Sequence, residues 1–260
     1  MNQIFFQPWK ATKKIHPTAL DLSLYLPKVA LAAPLAPLKK GWEYAVPDSV
    51  WADSMLGNDL AGDCAEACAL HTIMGNSAAN KAPQVFTQQD AFDLYAAVTG
   101  YDPSQTQPDD SNPTDNGTAY SDLFTYWQNT GIKGDKILGV ASVNFNVRSM
   151  LNAAIYFFGS VLVGCSVTQS MMDDFNAGNS WDTFSGAVLG RHAVPMFGYG
   201  SKGNMILTWA RRQPAGLNFV SMIDEAYVVI TQAWVNAQNR APSGIDLAAL
   251  TADLAAMKQR

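Results

Sequence analysis

Helical patterns fill the first part of this chain and strand patterns fill the last part, and this order limits the folds that the chain can adopt. Good helix formers and amphipathic spacings predict four helices, at 64–74, 87–98, 120–129 and 146–158. Segments rich in β-branched and aromatic residues predict four strands, at 161–167, 193–199, 205–209 and 226–230. Helices that precede strands, instead of alternating with them, predict an α+β fold with an antiparallel sheet.

The regions at the two ends of the chain differ from this central part. Five prolines interrupt residues 1–44, which we expect to form an extended N-terminal arm. Residues 45–232 are predicted to form one domain, and residues 233–260 a C-terminal helical tail in which leucines recur at helical spacing. Because 48% of the 260 residues are hydrophobic, the chain can build a substantial core.

Composition and charge exclude several classes of function. The net charge is −5 and lysine and arginine form no run, so we expect no nucleic-acid partner. No apolar segment reaches the ~18 residues of a membrane span, and we see no signal peptide at the N-terminus. Three cysteines allow at most one disulfide, which favours a reducing compartment. We therefore expect a cytoplasmic or virion-associated protein.

Cys64 and His192 are the candidate reactive pair. Cys64 begins a predicted helix after a loop of turn formers, with Asp63 as the candidate N-cap. The start of a helix favours an anion, and a neighbouring imidazolium adds to this effect, so the thiol pKa should be low. His192 enters a predicted strand, and its imidazole could take the thiol proton and later return it to a leaving group.

The residues around this pair resemble the papain-like cysteine peptidases. In that family an amide side chain lies six residues before the nucleophile, as Asn58 does here, and a glycine and a small polar residue directly precede the cysteine, as Gly62 and Asp63 do. The segment from His192, HAVPMFGYG, is similar to the family's His-Ala-Val … Gly-Tyr strand. Its histidine follows the cysteine at slightly less than the ~130–150 residues typical of the family.

A further segment extends the resemblance. Asn116-Gly117-Thr118, followed by a predicted helix, looks like the segment that lines the family's non-primed substrate cleft. The resemblance covers about residues 45–232 and is closest to bacterial and phage papain-like proteins of similar length. It implies a papain-like α+β fold, in which an N-terminal helical part packs on a C-terminal antiparallel sheet.

The resemblance also implies a function and its residues. It implies a cysteine hydrolase, in particular a peptidase, that acts on a peptide or protein substrate without a cofactor or metal. Cys64 would be the nucleophile and His192 the general base and acid, while Asn58 would donate to the oxyanion and Thr208 would orient the imidazole. The residues expected to contact substrate are Gly62, Asp63, Gly117, Thr118 and Trp181. Residues 1–44 would then be a candidate pro-segment that covers the cleft.

Three positions depart from the family pattern. The family's oxyanion amide is usually glutamine, and Asn58 is one methylene shorter. The family's histidine is oriented by an asparagine that lies just before Trp-Gly, whereas this chain reads Leu207-Thr208-Trp209-Ala210. Thr208 could take that role, but alignment on Trp209 would place Leu207 there and leave a Cys–His dyad. Ala65 stands where the family has an aromatic residue.

Other interpretations stay open at this stage. Cys64 could be a buried structural thiol, His192 a core histidine and Trp181 a core aromatic residue. Cys64, Cys68 and His71 share a helix face and could bind a metal, and the polar loop 101–117 could bind calcium. The fold could also serve without catalysis, as a binding or structural protein such as a component of a phage particle.

Overall fold

A computed structural model describes residues 20–21, 41–44, 46–51 and 54–258 of the chain. Most of the predicted N-terminal arm therefore lies outside the described residues. Two short strands of the arm are described, Leu20–Asp21 (β1) and Trp42–Glu43 (β2), and both join the central sheet.

Within the described residues, three helices precede the main strands, and three more follow within or after the sheet. The first three are Cys64–Ala79 (α1), Gln88–Thr99 (α2) and Tyr120–Asn129 (α3). The others are Arg148–Phe158 (α4), Gln169–Ala177 (α5) and Leu247–Lys258 (α6). Short 3₁₀ helices cover Asp48–Val50, Pro103–Gln105, Leu217–Met222 and Gln232–Trp234.

One sheet contains all the strands that the structure describes. The remaining strands are Ile137–Ser142 (β3), Val161–Thr168 (β4), Val188–Gly200 (β5), Gly203–Thr208 (β6), Arg211–Gly216 (β7) and Ile223–Thr231 (β8). Their order is β1-β3-β8-β4-β5-β6-β7, and β2 pairs with the end of β5. The β1–β3 pair is parallel, and the other described pairs are antiparallel. The predicted α+β fold, with helices before an antiparallel sheet, is confirmed.

The two faces of the sheet bury separate hydrophobic clusters. On β4, Val163 and Cys165 contribute to the cluster that also contains α4 and α5 residues, whereas Leu162 contributes to the cluster of α1 and α3. On β5, Val194 belongs to the first cluster and Ala193 to the second. This period-two alternation is that of a strand buried on both faces. As a result, α1, which begins at the candidate nucleophile, packs over β5, which carries the candidate base.

Helix α1 is longer than the sequence predicts. Gly75 and Asn76 were expected to end it, but the helix continues to Ala79. A Cβ at Gly75 would lie 2.8 Å from Cη2 of Trp51, whose side chain is buried. The predicted stop is therefore wrong, because this glycine allows an indole ring to pack close to the helix.

Candidate active site

Cys64 is the first residue of α1 and is partly exposed, whereas Cys68 and Cys165 are buried. The backbone N–H of Ala193 hydrogen-bonds the Cys64 sulfur, which favours the thiolate. Ala193 directly follows His192 on β5. The candidate nucleophile thus lies against the strand segment that carries the candidate base.

His192 is held between a hydroxyl and an indole ring. Its Nε2 lies 2.7 Å from Oγ1 of Thr208 on β6, and both side chains are buried. Its ring stacks on Trp209, with ring centroids 4.5 Å apart and an interplanar angle of 14°. When Nε2 carries the proton, it donates to the Thr208 hydroxyl, and Nδ1 is then the basic nitrogen.

The stacking tryptophan lies in an unusual turn. Trp209 and Ala210 connect β6 to β7, and their φ angles are +45° and +57°. Two consecutive left-handed residues are characteristic of the type I′ hairpin turn, which normally uses asparagine and glycine. Such a conformation costs a non-glycine residue about 1–3 kcal/mol. Despite this cost, the hairpin holds the Trp209 ring over His192.

The protonation states differ from the expected thiolate and imidazolium. Burial, with a smaller contribution from the nearby His71 imidazole, lowers the pKa of His192 to about 3. Burial also raises the pKa of the Cys64 thiol, and the Glu66 and Asp63 carboxylates add to this rise. The expectation of a low thiol pKa is therefore wrong for this conformation, because desolvation and two nearby acids outweigh the helix start. Both shifts favour the neutral thiol and the neutral imidazole over the ion pair.

Comparison with known proteins agrees with this geometry. No known family profile matches the sequence, and no curated protein sequence matches it. Among solved structures, xylellain, a cysteine protease from Xylella fastidiosa, is similar with a TM-score of 0.53 and 12% identity, covering 88% of this chain and 96% of that one. Digestive procathepsin L 3 from Tenebrio molitor larval midgut is similar with a TM-score of 0.52 and 15% identity, covering 79% and 78%.

The fold is papain-like. Cys64 and His192 take the helix and strand positions that the resemblance in the sequence implied.

Asn58 does not point into an oxyanion site in this papain-like fold. Its side chain is 3% exposed, and its Nδ2 donates to Oδ1 of Asp63 at 3.2 Å and to the Ala61 carbonyl at 3.5 Å. The oxyanion role of Asn58 stays a prediction, and in this conformation its amide protons are directed at acceptors in its own loop. Asp63 accepts the bond from Asn58 and makes no side-chain cap to α1, so its predicted capping role is wrong.

The other predicted substrate contacts on this side are buried, and their polar groups bond within the protein. The Gly62 N–H donates to Asp115 at 3.1 Å. The Gly117 N–H donates to the Tyr95 hydroxyl at 2.8 Å, and the Thr118 hydroxyl donates to Glu66 at 2.7 Å. These groups join two loops and a helix instead of facing a cleft. The substrate-contact role of Gly62, Asp63, Gly117 and Thr118 stays a prediction, and substrate would have to compete with these internal bonds.

Two fully buried acids lie beside the nucleophile. Oδ2 of Asp63 and Oε2 of Glu66 have no hydrogen-bond partner within the part of the chain that the structure describes. Burial raises the pKa of Glu66 to about 8, and burial together with the charge of Glu66 raises the pKa of Asp63 well above its usual range. Sequence reasoning missed Glu66, although a lone acid in the alanine- and cysteine-rich first turns of α1 is a visible signal.

Trp181 belongs to the core and not to a cleft. Its side chain is fully buried, and its indole N–H donates to the Met171 carbonyl at 2.7 Å. The ring also contacts Trp209 and Phe219. Its contact with substrate stays a prediction, and in this structure Trp181 supports the indole that stacks on His192.

The alternative metal site is not formed. Among residues 20–21, 41–44, 46–51 and 54–258, no group of three histidine, cysteine or acidic side chains is placed to hold a metal ion. His71 instead bonds through Nε2 to the Ser54 carbonyl at 2.8 Å, and burial lowers its pKa to about 4. No helix in these described ranges combines the length and the apolar character that crossing a bilayer requires.

Proposed function

We propose that this protein is a cysteine hydrolase of the papain type that cleaves peptide or related amide bonds through Cys64 and His192. The observation that carries the proposal is the 2.7 Å contact between His192 Nε2 and Thr208 Oγ1 beneath Trp209, next to a partly exposed thiol at the start of α1. In the proposed tautomer Nε2 carries the proton and donates to this hydroxyl, so that Nδ1 is the basic nitrogen that a base for a neighbouring thiol requires.

The proposed reaction is acyl transfer in two steps. As the Cys64 sulfur attacks the carbonyl carbon, its proton passes to His192, because both groups are neutral beforehand. The oxyanion would accept a hydrogen bond from the Cys64 backbone N–H at the helix start. The imidazolium then protonates the leaving amine, and a water molecule, deprotonated by His192, hydrolyses the thioester.

Thr208 favours a triad over a dyad. Alignment of the sequence on Trp209 would place the apolar Leu207 beside the base, but the side chain within hydrogen-bond distance of His192 is Thr208. Leu207 instead packs in a separate core cluster with Phe197 and Trp51. We therefore assign Thr208 as a positioning residue for the imidazole.

A cleavage assay with matched variants tests the proposal. The wild-type protein is incubated with a quenched fluorescent casein, and the same assay is run on Cys64→Ala and on Cys68→Ala. Cys68 lies one turn later on α1 and is buried, so its loss should preserve most of the activity. We expect cleavage by the wild type and by Cys68→Ala but not by Cys64→Ala. Equal activity of all three would refute Cys64 as the nucleophile.

A second candidate function is peptide binding without cleavage. The bond from Asn58 to Asp63 and the two buried acids beside the thiol are the observations that favour it. If it is correct, the wild type releases no product from casein, and Cys64→Ala binds a fluorescein-labelled casein peptide as tightly as the wild type does.

A further inference from the structure

The long polar loop 101–117 is tied to the nucleophile turn by one carboxylate. Both oxygens of Asp115 lie 3.1 Å from the backbone nitrogen of Gly62, which is two residues before Cys64. Asp115 Oδ1 also accepts a hydrogen bond from the Tyr95 hydroxyl at 2.7 Å. A single side chain thus connects the turn that leads into α1, helix α2 and the end of the polar loop.

Tyr95 extends this connection to the other side of the loop. Its side chain is fully buried, its ring stacks on Tyr101 with centroids 4.7 Å apart, and its hydroxyl accepts from the Gly117 N–H at 2.8 Å. The hydroxyl therefore donates to Asp115 and accepts from Gly117 at the same time. Tyr101 and Gly117, at the two ends of the 101–117 loop, therefore both contact the Tyr95 side chain.

A second bond supports the same juxtaposition. Thr118 follows this loop, and its hydroxyl donates to Oε1 of Glu66 in the first turn of α1 at 2.7 Å. The Gly62 backbone before Cys64 and the Glu66 side chain after it are therefore both attached to residues 115–118. Hydrogen bonds that a charged carboxylate accepts are about twice as strong as neutral ones, so the Asp115 bonds to Gly62 and Tyr95 can hold the turn against thermal motion.

We propose that Asp115 is a positioning residue for Cys64, and that it acts by holding the Gly62 N–H so that the thiol is presented to His192. This inference rests on the proposed function, because it assigns a role in the reaction of Cys64. Asp115 does not touch the reacting atoms. The direction of the Cys64 side chain depends on the backbone torsions of the two preceding residues, and Asp115 fixes the first of them.

Asp115→Asn provides the test, because asparagine keeps the shape but replaces one acceptor oxygen by a donor. That donor would face the Gly62 N–H or the Tyr95 hydroxyl. We expect the first-order rate of acylation of Cys64 by p-nitrophenyl acetate to fall by about tenfold or more, as the loss of one charge-assisted bond implies. The ester concentration for half-maximal rate should change less than about twofold, because Asp115 does not touch the substrate.

Asp109→Asn is the matched control in the same loop. The Asp109 carboxylate bonds only to Ser111 in its own turn among the bonds that the structure describes, so we expect the wild-type rate from this variant. Tyr95→Phe removes the linking hydroxyl and keeps the stacked ring. Because both changes break one network, the double variant with Asp115→Asn should be about as slow as the slower single variant.

Three results would overturn the inference. They are a wild-type rate in Asp115→Asn, an equal loss in Asp109→Asn, and a loss in the double variant that equals the product of the single losses. If the wild type shows no acylation at all, the proposed function fails by itself. In that case hydrogen exchange tests the inference. The Gly62 amide should exchange at least about tenfold faster in Asp115→Asn than in Asp109→Asn, and equal exchange rates would refute the inference.

Discussion

Replacing Glu66 by glutamine should stabilise this protein at alkaline pH and leave its stability at pH 5 little changed. Burial raises the pKa of Glu66 from its ordinary 4.5 to about 8, and the charge of Asp115 adds to this rise. A carboxyl group whose pKa is raised by folding binds its proton more tightly in the folded state. Its contribution to stability is therefore fully present below pH 4.5 and is lost as the pH rises through 8.

The magnitude follows from the two pKa values. Each pH unit between them removes about 1.4 kcal/mol from the free energy of unfolding, so the total loss is at most about 5 kcal/mol. Glutamine has nearly the same shape, stays neutral at every pH, and its carbonyl oxygen can still accept from the Thr118 hydroxyl. The variant should thus be more stable than the wild type by a difference that grows from pH 5 to pH 8 and then levels off.

Urea denaturation at pH 5, 6.5, 8 and 9, followed by tryptophan fluorescence, measures this difference. His71 and His192 have lowered pKa values and remove stability as the pH falls below 6.5, but they are present in both proteins and cancel in the comparison. Asp109→Asn is the control: its carboxyl pKa is lowered by Ser111, so its difference from the wild type should stay flat from pH 5 to 9. A flat difference for Glu66→Gln would refute the reasoning about the buried acid.

Three further predictions concern the hairpin, the helix and the base. Ala210→Gly should stabilise the protein by up to about 1 kcal/mol in urea denaturation, because glycine adopts the positive φ without strain. As a control, Ala97→Gly on the exposed side of α2 should destabilise the protein by a similar amount, because the φ of a helical residue is negative. Gly75→Ala should destabilise the protein by about 1 kcal/mol or more in the same assay despite the better helix propensity of alanine, because the new Cβ would overlap the Trp51 ring; a gain in stability would contradict the packing. Thr208→Val should slow the acylation of Cys64 by about tenfold while Thr208→Ser retains most of the rate, and equal rates in both would show that the hydroxyl does not position His192.

The sequence predicts well those elements whose conformation is determined by residues close together in the chain. Helix α3 begins and ends at the predicted residues, and α2 begins one residue after the predicted start at 87, where Thr87 is the N-cap. Strand β7 was missed because it reads RRQPAG, with two arginines and a proline, and it is extended only because the two-residue turn at Trp209 and Ala210 pairs it with β6. Strand β3 and helix α5 were missed as well, and both are short, with six and nine residues.

At the site, too, features set by neighbouring residues could be predicted and features set by distant residues could not. Cys64 and His192 could be found because each lies in a recognisable local context, a helix start and a Gly-Tyr strand. The mutual hydrogen bond of Asn58 and Asp63 was not predicted, because it depends on how the loop before α1 folds back on itself. Asp115 was missed entirely, since its bond to Gly62 joins residues 53 positions apart and a polar loop gives no sign of it.

The most direct test of the account is whether Cys64 forms an acyl-enzyme that depends on His192. The protein is mixed with p-nitrophenyl acetate at pH 7.5, the release of p-nitrophenol is followed, and the acetylated peptide is identified by mass spectrometry in the wild type and in His192→Ala. The account predicts one acetyl group on the peptide that contains Cys64, with a rate that falls by about 100-fold or more without the imidazole. Acetylation of Cys64 at the same rate in both proteins, or no acetylation of Cys64 in the wild type, would contradict it.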